Sequence, residues 1–176
     1  MTDAVFSMHA LSGAEWLSGG EEPEAESGML NGGTLYDYYE TRDGRWISVG
    51  SLEPVFLKRL CLEMDLQEFE GIPLDDVKSQ KRLKSKLRKA FKTRGFQEWI
   101  EIFQKIDACV EPVLKPSEAV NHPQLREREM IGKVLNETGD SIRQIASPFL
   151  FSKTPVVPGF AGRKLGADTL SAVSYT

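Results

Sequence analysis

Residues 32–54 read GGTLYDYYETRDGRWISVGSLEP, and this stretch decides the fold. A glycine pair precedes an aromatic run, which is followed by a tight turn at 42–44 and a second apolar run at 46–49. Two such runs joined by a short turn that contains glycine are typical of a β-hairpin. Glu53 and Pro54 follow the second run, and proline at this place indicates the first turn of a helix.

Outward from this hairpin, the apolar pattern predicts the α/β class, in detail an α+β small domain of short antiparallel hairpins and amphipathic helices. The predicted elements are helices at 54–64, 77–94, 96–106, 116–120 and 123–130, a strand at 109–114, and a second hairpin at 131–146. Residues 1–28 are predicted to form a helix followed by an acidic loop. The tail at 148–176 is rich in proline and glycine and is predicted to be an extended arm.

Composition restricts the class of protein. The chain has 176 residues, 40% of them hydrophobic and 27% charged, as expected for one globular domain. It contains no apolar run near the roughly 20 residues that span a bilayer and no basic leader at its start, so neither a membrane protein nor a secretory signal is predicted. The net charge of −4 gives no general attraction for nucleic acid. Two separated cysteines favour a reducing, cytoplasmic setting.

Glu53 is the leading candidate for chemistry. It lies between a strand and a helix, where a carboxylate can reach into a cleft or can simply interact with the helix N-terminus. Gly32 and Gly33 allow two interpretations as well, either a close approach of backbone to a ligand or an ordinary turn before a strand.

Four further side chains are ambiguous. Leu30, Tyr36 and Leu52 are expected to belong to the core on their residue type alone. Asp37 is disfavoured inside an aromatic strand, so it is expected either to accept hydrogen bonds from the glycine loop or to face a cleft. The sequence does not separate these two roles.

A basic run from Lys78 to Arg94 contains nine cations and no acid. It could bind anionic groups, but it lacks interleaved aromatic residues, and a solvated helix face is the favoured interpretation. The two histidines, His9 and His122, belong to no motif that would make them general bases.

Three blocks carry a resemblance to a known family: Gly32 to Pro54, Asp107 to Leu114, and His122 to Met130. The residues of these blocks and their order along the chain resemble family III CoA-transferases of the CaiB/BaiF type, and within them most closely the α-methylacyl-CoA racemase branch. The resemblance implies a connecting helix and acidic loop at 1–28, the small domain at 29–147 and a C-terminal return arm at 148–176. It also implies that the N-terminal large domain of such enzymes is absent from this chain.

The resemblance gives roles to the candidate residues. Glu53 matches an acidic residue that supports a catalytic histidine of the large domain. The positions expected to line the acyl-thioester site are Leu30, Gly32, Gly33, Tyr36, Asp37 and Leu52. The implied reaction is 1,1-proton transfer at C2 of a 2-methylacyl-CoA. The alternatives are CoA transfer between carboxylic acids and a binding or assembly module without catalysis.

The resemblance also sets expectations about cofactors and partners. No metal or redox cofactor is implied, since CoA is part of the substrate. The expected partners are an acyl-CoA thioester and either a large-domain chain or a second subunit, with a homo-oligomer expected and neither nucleic acid nor membrane. The isolated chain is expected to be inactive, because the main acid/base residues of such enzymes belong to the large domain.

Overall fold

A three-stranded antiparallel sheet forms around the predicted hairpin in the computed structural model, which describes residues 1–30, 32–156, 159 and 161–173. Strand β1 (Asp37–Glu40) pairs with β2 (Trp46–Val49), and β2 pairs with β3 (Val110–Pro112). Tyr39 lies opposite Ile47, and Val49 lies opposite Val110. The sheet thus joins two segments that are about sixty residues apart in the chain.

The sheet belongs to the first of two structural units, Met1–Val113 and Leu114–Thr176. The helices of the first unit are α1 (Thr2–Ser7), α2 (Ala10–Leu17), α3 (Pro54–Glu63), a 3₁₀ turn (Gln67–Phe69), α4 (Val77–Phe91) and α5 (Phe96–Phe103). Their starts follow from local chemistry. Pro54 occupies the first turn of α3, and the Asp76 carboxylate accepts the Ser79 amide at the start of α4.

Helix α5 begins against the hairpin turn. The Glu98 carboxylate accepts the Gly95 amide at 2.7 Å and also binds the Arg42 guanidinium at 2.8 Å. The Asp43 carboxylate, at the tip of the hairpin, accepts the amide of Phe96 at 3.1 Å. The turn between β1 and β2 therefore caps a helix more than fifty residues further along the chain.

The core of the first unit lies between the sheet and helices α4 and α5. Tyr39 and Ile47, which lie opposite each other, are buried on one face of the sheet, and Leu35, just before β1, is buried too. The rings of Tyr39 and Phe91 have centroids 5.2 Å apart, and those of Phe91 and Trp99 are 5.1 Å apart. The Tyr39 hydroxyl donates to the Leu35 carbonyl and the Trp99 indole to the Phe91 carbonyl, so the polar atoms of these buried rings have partners.

The second unit contains α6 (Pro116–Ala119), α7 (Pro123–Glu127), β4 (Ile131–Leu135), β5 (Ser141–Ile145) and α8 (Thr169–Val173). Strands β4 and β5 form a two-stranded antiparallel sheet. The Asn136 side chain accepts the amides of Thr138 and Asp140 and so folds the turn between the two strands. Every residue of β5 is exposed.

The predicted fold class is confirmed, with short antiparallel strand pairs and amphipathic helices near the predicted positions. Two details differ from the expectation. The first segment forms two short helices separated by Met8 and His9, and the described part of the tail contains the short helix α8. The boundaries 1–28, 29–147 and 148–176 stay a prediction. Within the described part of the chain, every helix is too short or too polar to cross a bilayer.

Phe91 should be the side chain on which the first unit depends most. We expect Phe91→Ala to lower the free energy of unfolding by about 3 to 5 kcal/mol, because it leaves a cavity between Tyr39 and Trp99. Urea unfolding followed by tryptophan fluorescence measures this loss. Phe6→Ala is the matched control, since Phe6 is 70% exposed, and it should change stability by less than about 0.5 kcal/mol. Equal effects of the two variants would contradict this description of the core.

Candidate functional site

An open cavity of about 460 Å³ lies at one end of the three-stranded sheet, in the first unit. Its size is within the range of small-molecule pockets. Its walls are the glycine loop (defined here as residues 26–33, of which Asn31 is not described), strand β1 with Tyr36, the end of β2, and the residues around β3. The lining residues are Glu26, Leu30, Gly32, Tyr36, Asp37, Tyr38, Ser48, Val49, Gly50, Cys109 and Glu111.

Both glycines of the predicted pair are required by the shape of the glycine loop. Gly32 has a φ of +84°, a left-handed conformation that favours glycine. A Cβ on Gly33 would lie 2.1 Å from the Ser27 carbonyl oxygen, and the Gly33 amide donates to the Gly28 carbonyl at 3.0 Å. The loop therefore closes tightly on itself.

The Asp37 carboxylate lies beside two cationic side chains. Its carboxylate accepts the Tyr38 amide at 2.8 Å and lies 2.8 Å from the Lys84 ammonium and 3.4 Å from the Arg88 guanidinium. Partial burial acts to raise the pKa of Asp37, but the Lys84 and Tyr38 hydrogen bonds and the two cationic charges hold it below its usual range. Of the two predicted roles, Asp37 faces the cavity, and Lys84 links it to the described part of the glycine loop.

Apart from Arg82 and Arg94, whose guanidinium groups lie over aromatic rings, the basic run contains two sets of side chains that the sequence did not distinguish. Gln80, Lys84, Arg88 and Lys92 recur every four residues along α4 and all bind the segment from Gly32 to Thr41. This spacing places them on one helix face. The remaining lysines of the run, Lys78, Lys81, Lys86 and Lys89, are exposed. The four-residue spacing could have revealed this helix face in the sequence, but the other cations of the run obscured the pattern.

Glu53 lies where the sequence predicts, at the N-cap of α3. Its backbone carbonyl accepts the amides of Phe56 and Leu57, whereas its side chain makes no capping hydrogen bond. The carboxylate is exposed and lies outside the cavity lining. A carboxylate with no capping hydrogen bond is available for another role.

The structure brings together four of the predicted site residues, Leu30, Gly32, Tyr36 and Asp37. Gly33 lies behind the lining, where it supports the glycine loop. Leu52 is half-buried and its amide donates to the Gly50 carbonyl, so it lies on the turn between β2 and α3, beside the cavity lining but not part of it.

Cys109 is a cavity residue that the sequence did not single out. It is exposed and has a φ of +55°, and its carbonyl accepts the Gly50 amide at 2.9 Å. Partial desolvation raises the pKa of its thiol, and the negative charges of Glu53, Glu111 and Asp107 raise it further.

Comparison with known proteins identifies the family. The model of CoA-transferase family III matches residues 1–169. The chain belongs to this family. Human α-methylacyl-CoA racemase is 31% identical over 144 residues, which cover 82% of this chain and 37% of the human protein. The mouse racemase is 30% identical over 138 residues, covering 78% of this chain and 35% of that protein.

Solved structures agree on the fold. Rv3272 from Mycobacterium tuberculosis, in its orthorhombic form, has a TM-score of 0.62 at 19% identity, covering 91% of this chain and 43% of that one. A CaiB/BaiF family protein from Brucella suis has a TM-score of 0.64 at 14% identity, covering 93% of this chain and 43% of that one. The family III chain described here spans about a third of the length of the curated relatives that it matches.

Asp37→Asn should destabilise the first unit in a pH-dependent way. At neutral pH we expect a loss of about 1 to 3 kcal/mol, because the Lys84 ammonium loses its carboxylate partner. A lowered pKa in the folded state means that the ionised carboxylate stabilises the fold above the unfolded pKa of about 3.9. That contribution disappears as the pH falls through the lower folded pKa.

Urea unfolding of both proteins across this acidic range measures the difference. Asp75→Asn is the matched control, because Asp75 is exposed and precedes α4. A difference between wild type and Asp37→Asn that stayed constant from pH 7 to the acid end would show that the ion pair with Lys84 contributes nothing.

Proposed function

We propose that this chain supplies the small-domain wall of an acyl-CoA site, and that the reaction is 1,1-proton transfer at C2 of a 2-methylacyl-CoA. The observation that carries the proposal is the 31% identity with a protein named α-methylacyl-CoA racemase, over 82% of this chain. The cavity supports it, since Leu30 and Tyr36 offer exposed apolar surface beside polar groups.

The chemistry requires two acid/base groups on opposite faces of C2. One takes the C2 proton while the thioester carbonyl accepts the electron pair as an enolate, and the other returns a proton to the opposite face. Neither histidine of this chain lines the cavity. His9 precedes α2, and the ring of His122 accepts the Gln124 amide at the start of α7. We therefore propose that a large-domain chain or a second subunit contributes the acid/base pair.

Glu53 has a supporting role in this proposal. Its exposed carboxylate makes no capping hydrogen bond, and we propose that it orients and stabilises a protonated histidine contributed by the partner. Asp37 is less suited to taking up a proton, since Lys84 and Arg88 hold its pKa down. It is better suited to shaping the cavity wall.

Exposed apolar surface supports a protein partner. All residues of α1 and α2 are described and none is buried, although Phe6, Leu11 and Leu17 are large and apolar. In the second unit, Phe149, Leu150 and Phe151 are likewise exposed along an open groove. Such surface is typical of sites that bind another protein. We propose that a large-domain chain or a second copy covers it.

The proposal needs no metal or redox cofactor, because the thioester of the substrate itself acidifies the C2 proton. A cytoplasmic location is part of the proposal and is in keeping with the two free cysteines, Cys61 and Cys109.

The second candidate is CoA transfer between carboxylic acids, which the name of the family, CoA-transferase family III, favours. An assembly module without catalysis is the third, and the exposed apolar helices favour it.

The role of Glu53 can be tested in a complex reconstituted with a large-domain chain. Glu53→Gln should lower the rate of C2 proton exchange by about 10²-fold, the scale expected for a group that supports acid–base catalysis. Because the side chain makes no capping hydrogen bond, the melting temperature should stay unchanged. Glu68→Gln, an exposed change in the 3₁₀ turn, is the control. A shifted melting temperature with an unchanged rate would make Glu53 a purely structural residue.

Occupancy of the cavity can be tested on this chain with its own thiols. Cys109 is exposed and lines the cavity, whereas Cys61 is buried and burial, with the charges of Glu70 and Glu68, raises its pKa to about 11. A 2-methylacyl-CoA should slow alkylation of Cys109 by a maleimide in a saturable way, as measured by peptide mass spectrometry. The matched acylcarnitine should protect less. Equal labelling rates with and without saturating acyl-CoA would contradict the proposed site.

A further inference from the structure

Lys84 is a buried cation at the back of the cavity wall. It lies in the middle of α4, and its side chain is only 10% exposed. A lysine ammonium in such a place must keep hydrogen-bond acceptors, because burying an unpaired charge is very costly. Lys84 has two, the Asp37 carboxylate at 2.8 Å and the backbone carbonyl of Gly32.

These two acceptors belong to different walls of the cavity. Asp37 is the first residue of β1, and Gly32 belongs to the glycine loop. The ammonium therefore fixes the distance between the loop and the strand. One turn earlier on the same helix face, the Gln80 side chain accepts the Leu35 amide at 3.1 Å. Helix α4 thus binds the segment that leads into β1 at three points, Gly32, Leu35 and Asp37.

The glycine loop fits closely against Lys84. A Cβ on Gly32 would lie 3.3 Å from the Lys84 nitrogen, so a larger residue would displace the carbonyl or the ammonium. Internal hydrogen bonds, from Gly33 to Gly28 and from Thr34 to Met29, make the loop a folded piece of its own. Lys84 is the charged link between this piece and the rest of the first unit.

We propose that Lys84 is a positioning residue that sets the glycine loop as the wall of the acyl cavity, and so sets how tightly an acyl-CoA is held there. Leu30 and Gly32 line the cavity from the loop, and both move if the loop does. The identity of the ligand rests on the proposed function. The positioning of the loop does not.

The first measurement is amide hydrogen exchange in wild type, Lys84→Met, Lys84→Arg and Lys81→Met. Lys84→Met should speed exchange of the Gly33 amide about tenfold, the factor expected when one charge-assisted hydrogen bond is lost. The Arg42 amide, bound to the Arg94 carbonyl at the far end of the hairpin, is the internal reference and should not change. Lys81 is exposed on the same helix, so Lys81→Met should match wild type.

The second measurement is the concentration of 2-methylacyl-CoA that half-protects Cys109 from alkylation. We expect Lys84→Met to raise it about tenfold and Lys84→Arg, which keeps a cation, to restore most of the affinity. A residue needed only for folding would lower the urea midpoint without moving this value in the folded protein. If Lys84→Met does not fold, Gly32→Ala tests the same wall, since an L side chain is strained at a φ of +84° and the Lys84 side chain is retained.

The outcomes separate the two proposals. Unchanged Gly33 exchange in Lys84→Met overturns the positioning role, and so does faster exchange with unchanged half-protection. Absence of protection in wild type overturns the proposed acyl-CoA site, while the exchange measurement still decides whether Lys84 holds the loop. Faster Gly33 exchange together with weaker protection in Lys84→Met, both restored by Lys84→Arg, supports the inference.

Discussion

The packing of helix α4 against strand β1 is the interaction on which the rest of the first unit depends. One face of the helix carries Phe91 into the aromatic core against Tyr39. The same face, two turns earlier, carries Lys84 to Asp37 and the glycine loop. A single helix thus supplies both the apolar contact that stabilises the sheet and the charge that shapes the cavity at its end. Because the helix is rigid, the position of Phe91 in the core and the position of Lys84 at the cavity are set together.

Much of the fold could be predicted from local patterns. The turn at 42–44 between two apolar runs predicted the first hairpin, and Pro54 marked the start of α3. The break at Met8 and His9 was missed, since loosely spaced apolar residues suit one helix or two. Local pattern predicts elements well where hydrogen bonds and burial are both set by neighbours in the chain.

The site was less predictable, because its walls come from distant segments. Gly32 and Tyr36 were found from the motif, yet Lys84 looked like any other cation in its run, and Cys109 like an apolar cysteine. Only the tertiary pairing of α4 with β1 and of β2 with β3 distinguishes them. Family resemblance pointed to Glu53, and the structure adds that its carboxylate does not cap α3.

The tip of the first hairpin has an unusual consequence for protein engineering. Hairpin tips usually accept inserted sequences, because they are exposed and make few contacts. Here Asp43 binds the Phe96 amide and Arg42 binds Glu98, so the tip is also the start of a helix. Among the described residues, the turn at 136–140 is bound within itself and, through Glu137, to the Lys164 amide. An affinity tag or a fluorescent probe is therefore better placed in the second hairpin than in the first, however similar the two look in the printed sequence.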